Sequence, residues 1–178
     1  MIFLTSDWHF NHSKEFIYKP RGFDSAEEMN SALVERHNSL VTSEDDVYIL
    51  GDLCLGGAES LEKSRELISS MNGKLHVVFG NHDTPKRRQM YAWALSLNYK
   101  KYHFYMSHFP TLTGNLEKES LHEMMLNLYG HTHQKSDFYE DRPYMYHVGV
   151  DSHSCYPVSL DAVIDEMKLK VKECVDML

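Results

Sequence analysis

Five times along this chain a short apolar run stops at a cluster of Asp, His or Asn. The clusters are Asp7-Trp8-His9, Gly51-Asp52, Gly80-Asn81-His82-Asp83, Ser107-His108 and Gly130-His131-Thr132-His133. The runs before them, such as Val77-Val78-Phe79, are rich in β-branched and aromatic residues and read as buried strands. A strand that ends this way places its polar side chains at the carboxyl edge of a sheet, where α/β proteins bind ligands. Core building alone has no use for an amide, an imidazole and a carboxylate side by side at residues 81–83.

Helical patterns fill the intervals between the strands. Ser25-Ala26-Glu27-Glu28 is a capping box that opens a helix with Met29, Leu33, His37 and Leu40 on one face, ending near Val41. Residues 47–50 form a second strand, 58–71 a helix stopped by Asn72-Gly73, and 75–79 a third strand. Thr84-Pro85 caps a further helix, on which Met90, Trp93, Ala94 and Leu97 fall at helical spacing. Residues 102–106 alternate as a strand, and 110–126 read as a loop with a short helix around 121–125. Residues 128–129 form a brief strand and 144–150 another. Ser159 then caps a last helix with Leu160, Val163, Ile164, Met167, Val171, Cys174 and Val175 inward. The alternation, with no repeat or linker, predicts one α/β domain over residues 1–178.

Net charge and cysteine use narrow the function. A formal charge of -8 disfavours a dedicated binder of duplex nucleic acid, which needs a basic face. It leaves room for a nuclease whose metals supply positive charge. Cys54, Cys155 and Cys174 lack metal-finger spacing and read as free thiols in a reducing compartment. With no secretory signal and no apolar run long enough to span a bilayer, the expected location is cytoplasmic, without membrane contact. The residues carry no signature of an oligomeric state. The unusual count is histidine, at 12, and placement decides what these residues do.

Collected, the clusters offer Asp7, His9, Asp52, Asn81, His82, His108, His131 and His133. Carboxylates, an amide oxygen and several imidazoles suit first-row divalent cations, and are too rich in nitrogen for Ca or Mg. There are more donors than one ion takes. A two-metal centre with a bridging carboxylate and ions about 3.5–4 Å apart is the economical reading. In Asp7-x-His9 and His131-x-His133 the paired residues are two apart, so on an extended segment both turn to one side.

In this order the blocks resemble the calcineurin-like metallophosphoesterase family, from Asp7 to His133. Arg21-Gly22-Phe23 and Val148-Gly149-Val150-Asp151 extend the likeness to its small bacterial and phage members. The resemblance implies an αββα sandwich of two mixed β-sheets flanked by helices. It implies hydrolysis of a phosphomonoester or phosphodiester in a small phosphate-ester substrate. Asp7, His9 and His133 would hold the first metal, Asn81, His108 and His131 the second, and Asp52 would bridge. His82 would stand beside the leaving group without being a ligand, and Asn81 would also be within reach of substrate. Mn2+ is the favoured ion, with Fe, Zn and Ni as alternatives. Two divalent ions, two carboxylates and a bridging hydroxide leave a formal charge of roughly +1, which attracts a phosphate despite the acidic chain. The hydroxide would attack phosphorus in line, and His82 would protonate the departing alkoxide or hydrogen-bond to it.

Other residues carry two readings each. His12 lies just past the first block and either touches the phosphate or is a surface loop histidine. Arg21 has a fork suited to phosphate, but a solvated loop charge is preferred. The family's acidic partner for the catalytic histidine has no match in Gly51-Asp52-Leu53-Cys54-Leu55, and Asp83 is expected to face a helix N-terminus instead. Asp151 is expected to satisfy turn amides. His37, His76, His103, His122, His147 and His153 read as structural or exposed, and Trp8 as packing beneath the site. Lys86-Arg87-Arg88 is a solvated helix face before it is a substrate contact. Two functional alternatives stand: a nuclease of the same family, and a catalytically silent metal-bound interaction module, against which an intact His82 argues.

Overall fold

Strand β1 (Ile2–Thr5) sends its side chains alternately into two different cores, and the architecture follows from that alternation. Leu4 enters one core and Phe3 the other. In β2 (Asp46–Leu50), Leu50 lies on the first side and Val47 and Ile49 on the second. Strands that are apolar on both faces must be central and covered twice. Accordingly β1 pairs in parallel with β2 and antiparallel with β8 (Val158–Ser159), while β2 pairs in parallel with β3 (Lys74–Val78). The sheet order is β3-β2-β1-β8. A second sheet runs β4 (Ala94–Tyr99), β5 (Tyr102–Ser107), β6 (Met125–Tyr129) and β7 (Met145–His147), antiparallel at the first pair and parallel thereafter. The computed structural model describes residues 1–55, 58–83, 92–114, 118 and 120–176.

Phe104, Met106, Leu126 and Leu128 of the second sheet meet Leu4, Leu50 and Val78 of the first, and Val163 and Met167 of α4 (Leu160–Asp176) complete that core. The other core lies under α1 (Glu15–Tyr18) and α2 (Ala26–Leu40), whose Ile17, Met29 and Leu33 cover Phe3, Val47 and Ile49. Leu67 and Ile68 of α3 (Ala58–Ser69) pack against the same layer. Two mixed sheets flanked by helices are therefore the architecture that the resemblance implied. Two of the three predicted N-caps are present, and the third, Thr84, lies outside the described residues: Ser25 accepts from the Glu28 amide at 3.1 Å, and Ser159 from the Ala162 amide at 3.2 Å. Among the described residues no helix is long and apolar enough to cross a membrane.

Among the described residues, two stretches expected to be helical are not. Ala94 and Leu97 lie on β4, whose half-buried Leu95, Leu97 and Tyr99 alternate with exposed Ser96 and Asn98. Ala94 and Leu97 keep a helical spacing, whereas Leu95, Leu97 and Tyr99 keep a period of two, and pairing with β5 selects the second. The capped start of that expected helix, Met90 and the Lys86-Arg87-Arg88 run lie outside the described residues. Residues 121–123 make a turn instead of a helix, and Met125 already belongs to β6, which is longer than expected. The expected strand over 144–150 is shorter, Met145–His147.

The carboxyl ends of the strands are stitched together by backbone hydrogen bonds. The Asp7 amide donates to Gly51 O at 3.0 Å and the His9 amide to Asp52 O at 3.0 Å. Between the sheets, the Val150 amide donates to Ser6 O at 3.1 Å. Within the second sheet, the Gly130 amide donates to His108 O at 3.0 Å. These bonds bring five loops from distant parts of the chain to one edge.

Candidate metal centre

Five of the candidate donors sit at positions where the backbone itself is unusual. Asp7, His9, Asp52, His131 and His133 all have left-handed φ angles, between +48° and +70°. Non-glycine residues hold that conformation at a cost of order 1–3 kcal/mol each, and it collects at functional sites. The turn it makes lets each side chain leave the end of its strand and point into the common edge.

The side chains converge in two groups about Asp52. On one side the Nε2 atoms of His9 and His133 are 3.2 Å apart, and His9 Nε2 is 3.6 Å from Asp52 Oδ2. Suitable atoms of Asp7, His9 and His133 all lie within 4.8 Å of one another. On the other side His108 Nε2 is 2.9 Å from Asn81 Oδ1, 3.2 Å from His131 Nδ1 and 3.5 Å from Asp52 Oδ2. His131 Nδ1 is itself 2.9 Å from Asn81 Oδ1. Asp7, His9, Asp52 and His108 are buried, whereas Asn81 is exposed.

Proton placement shows what this donor set fits. Nδ1 of His108 donates to Leu50 O at 2.8 Å, so its Nε2 is a lone pair. That lone pair faces the amide oxygen of Asn81, another acceptor. Nδ1 of His133 donates to Asp151 Oδ2 at 2.8 Å, so on the neutral ring Nε2 is the lone pair; burial works against the charged ring, but that bond and the charges of Asp7 and Asp151 raise its pKa overall. Burial, with the charges of His133 and Arg21, pushes His9 down to about 2, which keeps that ring neutral. Burial also pushes Asp7 up to about 6 against the pull of His133 and His108. With the His108 ring neutral, its Nε2 and Asn81 Oδ1 face each other as acceptors, and these repel unless a cation lies between them. Metal–donor bonds of about 2.1 Å separate neighbouring donors by about 3–3.5 Å, which is the spacing seen in both groups. The residues therefore fit divalent metal, and their nitrogen content fits first-row transition ions.

A family described as the calcineurin-like phosphoesterase superfamily domain matches residues 1–152. The chain belongs to that superfamily. An uncharacterized protein of Methanocaldococcus jannaschii is 33% identical over 169 residues, covering 92% of this chain and 89% of the relative. The gene 66 protein of Mycobacterium phage D29 is 26% identical over 185 residues, covering 88% of this chain and 92% of that protein. Among solved structures, a protein of unknown function from Aquifex aeolicus superposes with a TM-score of 0.70 at 20% identity, covering 94% of this chain and 98% of that one, and so shares the fold.

Beside this donor cluster, His82 stands at the open side. Its side chain is 40% exposed, its Nε2 lies 4.0 Å from Asp52 Oδ2 and its ring meets that of His9 edge-on at 5.2 Å. Its own amide donates to Asp52 Oδ1 at 2.8 Å, so its position depends on that carboxylate. His12 is no surface histidine: it is buried, packs edge-on against His9 and Phe16, and lines the cavity beside the donors. Trp8 is buried beneath the site as expected, donating to Thr5 Oγ1 at 3.0 Å.

Three expectations are corrected. Arg21 is neither solvated nor free to fork onto a phosphate. Its side chain is 1% exposed, and Nε and Nη2 grip the two oxygens of Asp151 at 3.0 and 2.9 Å. Asp151 does not serve turn amides: its carboxylate binds the side chains of Arg21 and His133. Burial alone would raise its pKa, but these partners together hold it below the usual carboxylate range. Asp83 accepts from the amides of Asp52, Gly80 and Leu53 at 2.7, 2.9 and 3.0 Å, and so ties the Asp52 loop to the Asn81 turn. The one signal for Arg21 and Asp151 was that both lie in the flanking motifs that carry the wider resemblance. No local pattern links them.

Gly130 is needed for close approach. A Cβ there would lie 2.6 Å from Asp7 Oδ2 and closer still to Ser6 Oγ, which is held by Leu50 O at 2.8 Å. Gly130→Ala should cost about 1–3 kcal/mol of stability by overpacking and weaken divalent-metal binding by displacing Asp7. Thermal denaturation with and without Mn2+ measures both, and an unchanged metal-induced shift would refute the displacement.

Proposed function

We propose that this chain is a metal-dependent phosphoesterase that uses two divalent cations, Mn2+ first among them, to hydrolyse a small phosphomonoester or phosphodiester. The observation that carries the reading is the division of the donors around Asp52. Asp7, His9 and His133 lie on one side, and Asn81, His108 and His131 on the other. Asp52 Oδ2 lies between the two groups and would be shared. When bound, the cations lower the pKa of water and offset charge on phosphoryl oxygens.

The remaining steps belong to the chain. Asp7, Asp52 and the imidazoles keep the donors in place through a buried, hydrogen-bonded frame. His82, half-exposed at the rim and outside both donor groups, would protonate the departing oxygen or hydrogen-bond to it. The cavity above the donors has a volume of about 510 Å³ and includes His12, Phe16 and Lys135, a size suited to a small ester. The acidic chain supports a small substrate over duplex nucleic acid.

The test compares hydrolysis of a chromogenic phosphomonoester and a phosphodiester with Mn2+ and then with chelator. Turnover that needs Mn2+ and ceases with chelator supports the reading. Bound Mn2+ with no turnover of either ester would favour the interaction module instead.

A further inference from the structure

Arg21 and Asp151 are 130 residues apart, have side chains only 1% and 5% exposed, and are unused by the steps above. Arg21 is saturated. Besides gripping Asp151 it donates to Asp7 O at 2.8 Å and to Trp8 O at 3.2 Å, the backbone that carries the first donors. Its Nη2 also lies 3.5 Å from Nδ1 of His133. A guanidinium has only donors. Facing His133 alone, it would donate to Nδ1 and drive the ring proton onto Nε2. The carboxylate of Asp151 stands in the way: Oδ2 takes both Arg21 Nη2, at 2.9 Å, and His133 Nδ1, at 2.8 Å.

We propose that Asp151, locked in place by Arg21, is a positioning residue that keeps the proton on Nδ1 of His133 and so presents Nε2 as a lone pair towards His9. A histidine that binds metal is commonly held in this way by a carboxylate behind it, and losing such a partner costs about 10–100-fold in metal affinity. The Arg21 contacts go further than that general case. One buried cation sets the carboxylate, and the same cation holds the carbonyls of Asp7 and Trp8, so the first donor loop and His133 are fixed against each other. The consequence for metal binding rests on the phosphoesterase reading. The proton placement does not.

The experiment has two readouts on the full chain. Long-range proton–nitrogen spectra of metal-free protein, taken where the ring is neutral, report which nitrogen of His133 is protonated. Mn2+ titration reports the affinity of each site. Wild type should show Nδ1–H, Asp151→Ala should show Nε2–H, and one Mn2+ site should weaken about 10–100-fold while the other is kept. The double variant Arg21→Met with Asp151→Ala leaves no buried charge unpaired, so it should fold, and with the Asp7 and Trp8 carbonyls also released it should show the same site weakened at least as far as in Asp151→Ala. Leu33→Ala, a core truncation, should lower stability and leave Mn2+ affinity unchanged. Nδ1–H retained in both Asp151 variants, or wild-type affinity at both sites, overturns the proposal. A wild-type chain that binds no Mn2+ sinks the metal reading, while the spectra still decide the placement of the proton.

Discussion

His82→Ala lowers turnover of a phosphate ester by about 10²–10⁴-fold and leaves bound Mn2+ in place. The side chain lies outside both donor groups, with its Nε2 4.0 Å from the nearest oxygen of Asp52, and it is 40% exposed where a substrate would enter. Removing it takes away a proton donor for the departing oxygen. It removes neither a lone pair from the donor groups nor the amide that holds Asp52 Oδ1, since that amide belongs to the backbone. His131→Ala is the contrast, because His131 Nδ1 is within 2.9 Å of Asn81 and 3.2 Å of His108. It should lose metal and turnover together. Metal content and single-turnover rates of the two variants separate the roles, and equal metal loss in both would undo the division.

Asp52→Asn has the other large effect, expected as a turnover loss on the order of 10³-fold with reduced Mn2+ stoichiometry. The Asp52 carboxylate is 2% exposed and is shared by the two donor groups, with Oδ2 3.6 Å from His9 Nε2 and 3.5 Å from His108 Nε2. Asparagine keeps the volume and can still accept from the His82 amide through its oxygen. It deletes the negative charge that two cations would share, and it offers a nitrogen without a lone pair on one side. The loop itself stays clamped by Asp83, which accepts from the amides of Asp52 and Leu53. The variant should therefore fold normally and fail chemically. Near-wild-type metal binding in the Asp52→Asn protein would mean that the two groups do not share this residue.

Much of the frame was legible in local sequence. The strands at 2–5 and 46–50 are short β-branched and aromatic runs, and the Ser25 and Ser159 caps are stated within four residues of each helix start. β4 is ambiguous in sequence because Leu97 belongs both to a helical set with Ala94 and to a period-two set with Leu95 and Tyr99, and only the pairing of Leu95 with Met106 and Leu97 with Phe104 selects the strand. The polar blocks were legible because a cluster of His and Asp at a strand end has no place in a core. Their supports were not. Asp83 reads as a helix cap from its nearest neighbours in sequence, yet besides the Gly80 amide it binds the amides of Asp52 and Leu53, some 30 residues earlier.

What the residues determined alone is the inventory: which strands are buried on both faces, where helices begin, and which donors stand at strand ends. These depend on neighbours a few positions away, through propensity, period and capping. What only the tertiary structure decided is the partnering: His133 with Asp151, Asp151 with Arg21, and Asp52 between two sets of imidazoles. Those contacts close loops of up to 130 residues, and they form only because the packing of two sheets has already brought their ends together.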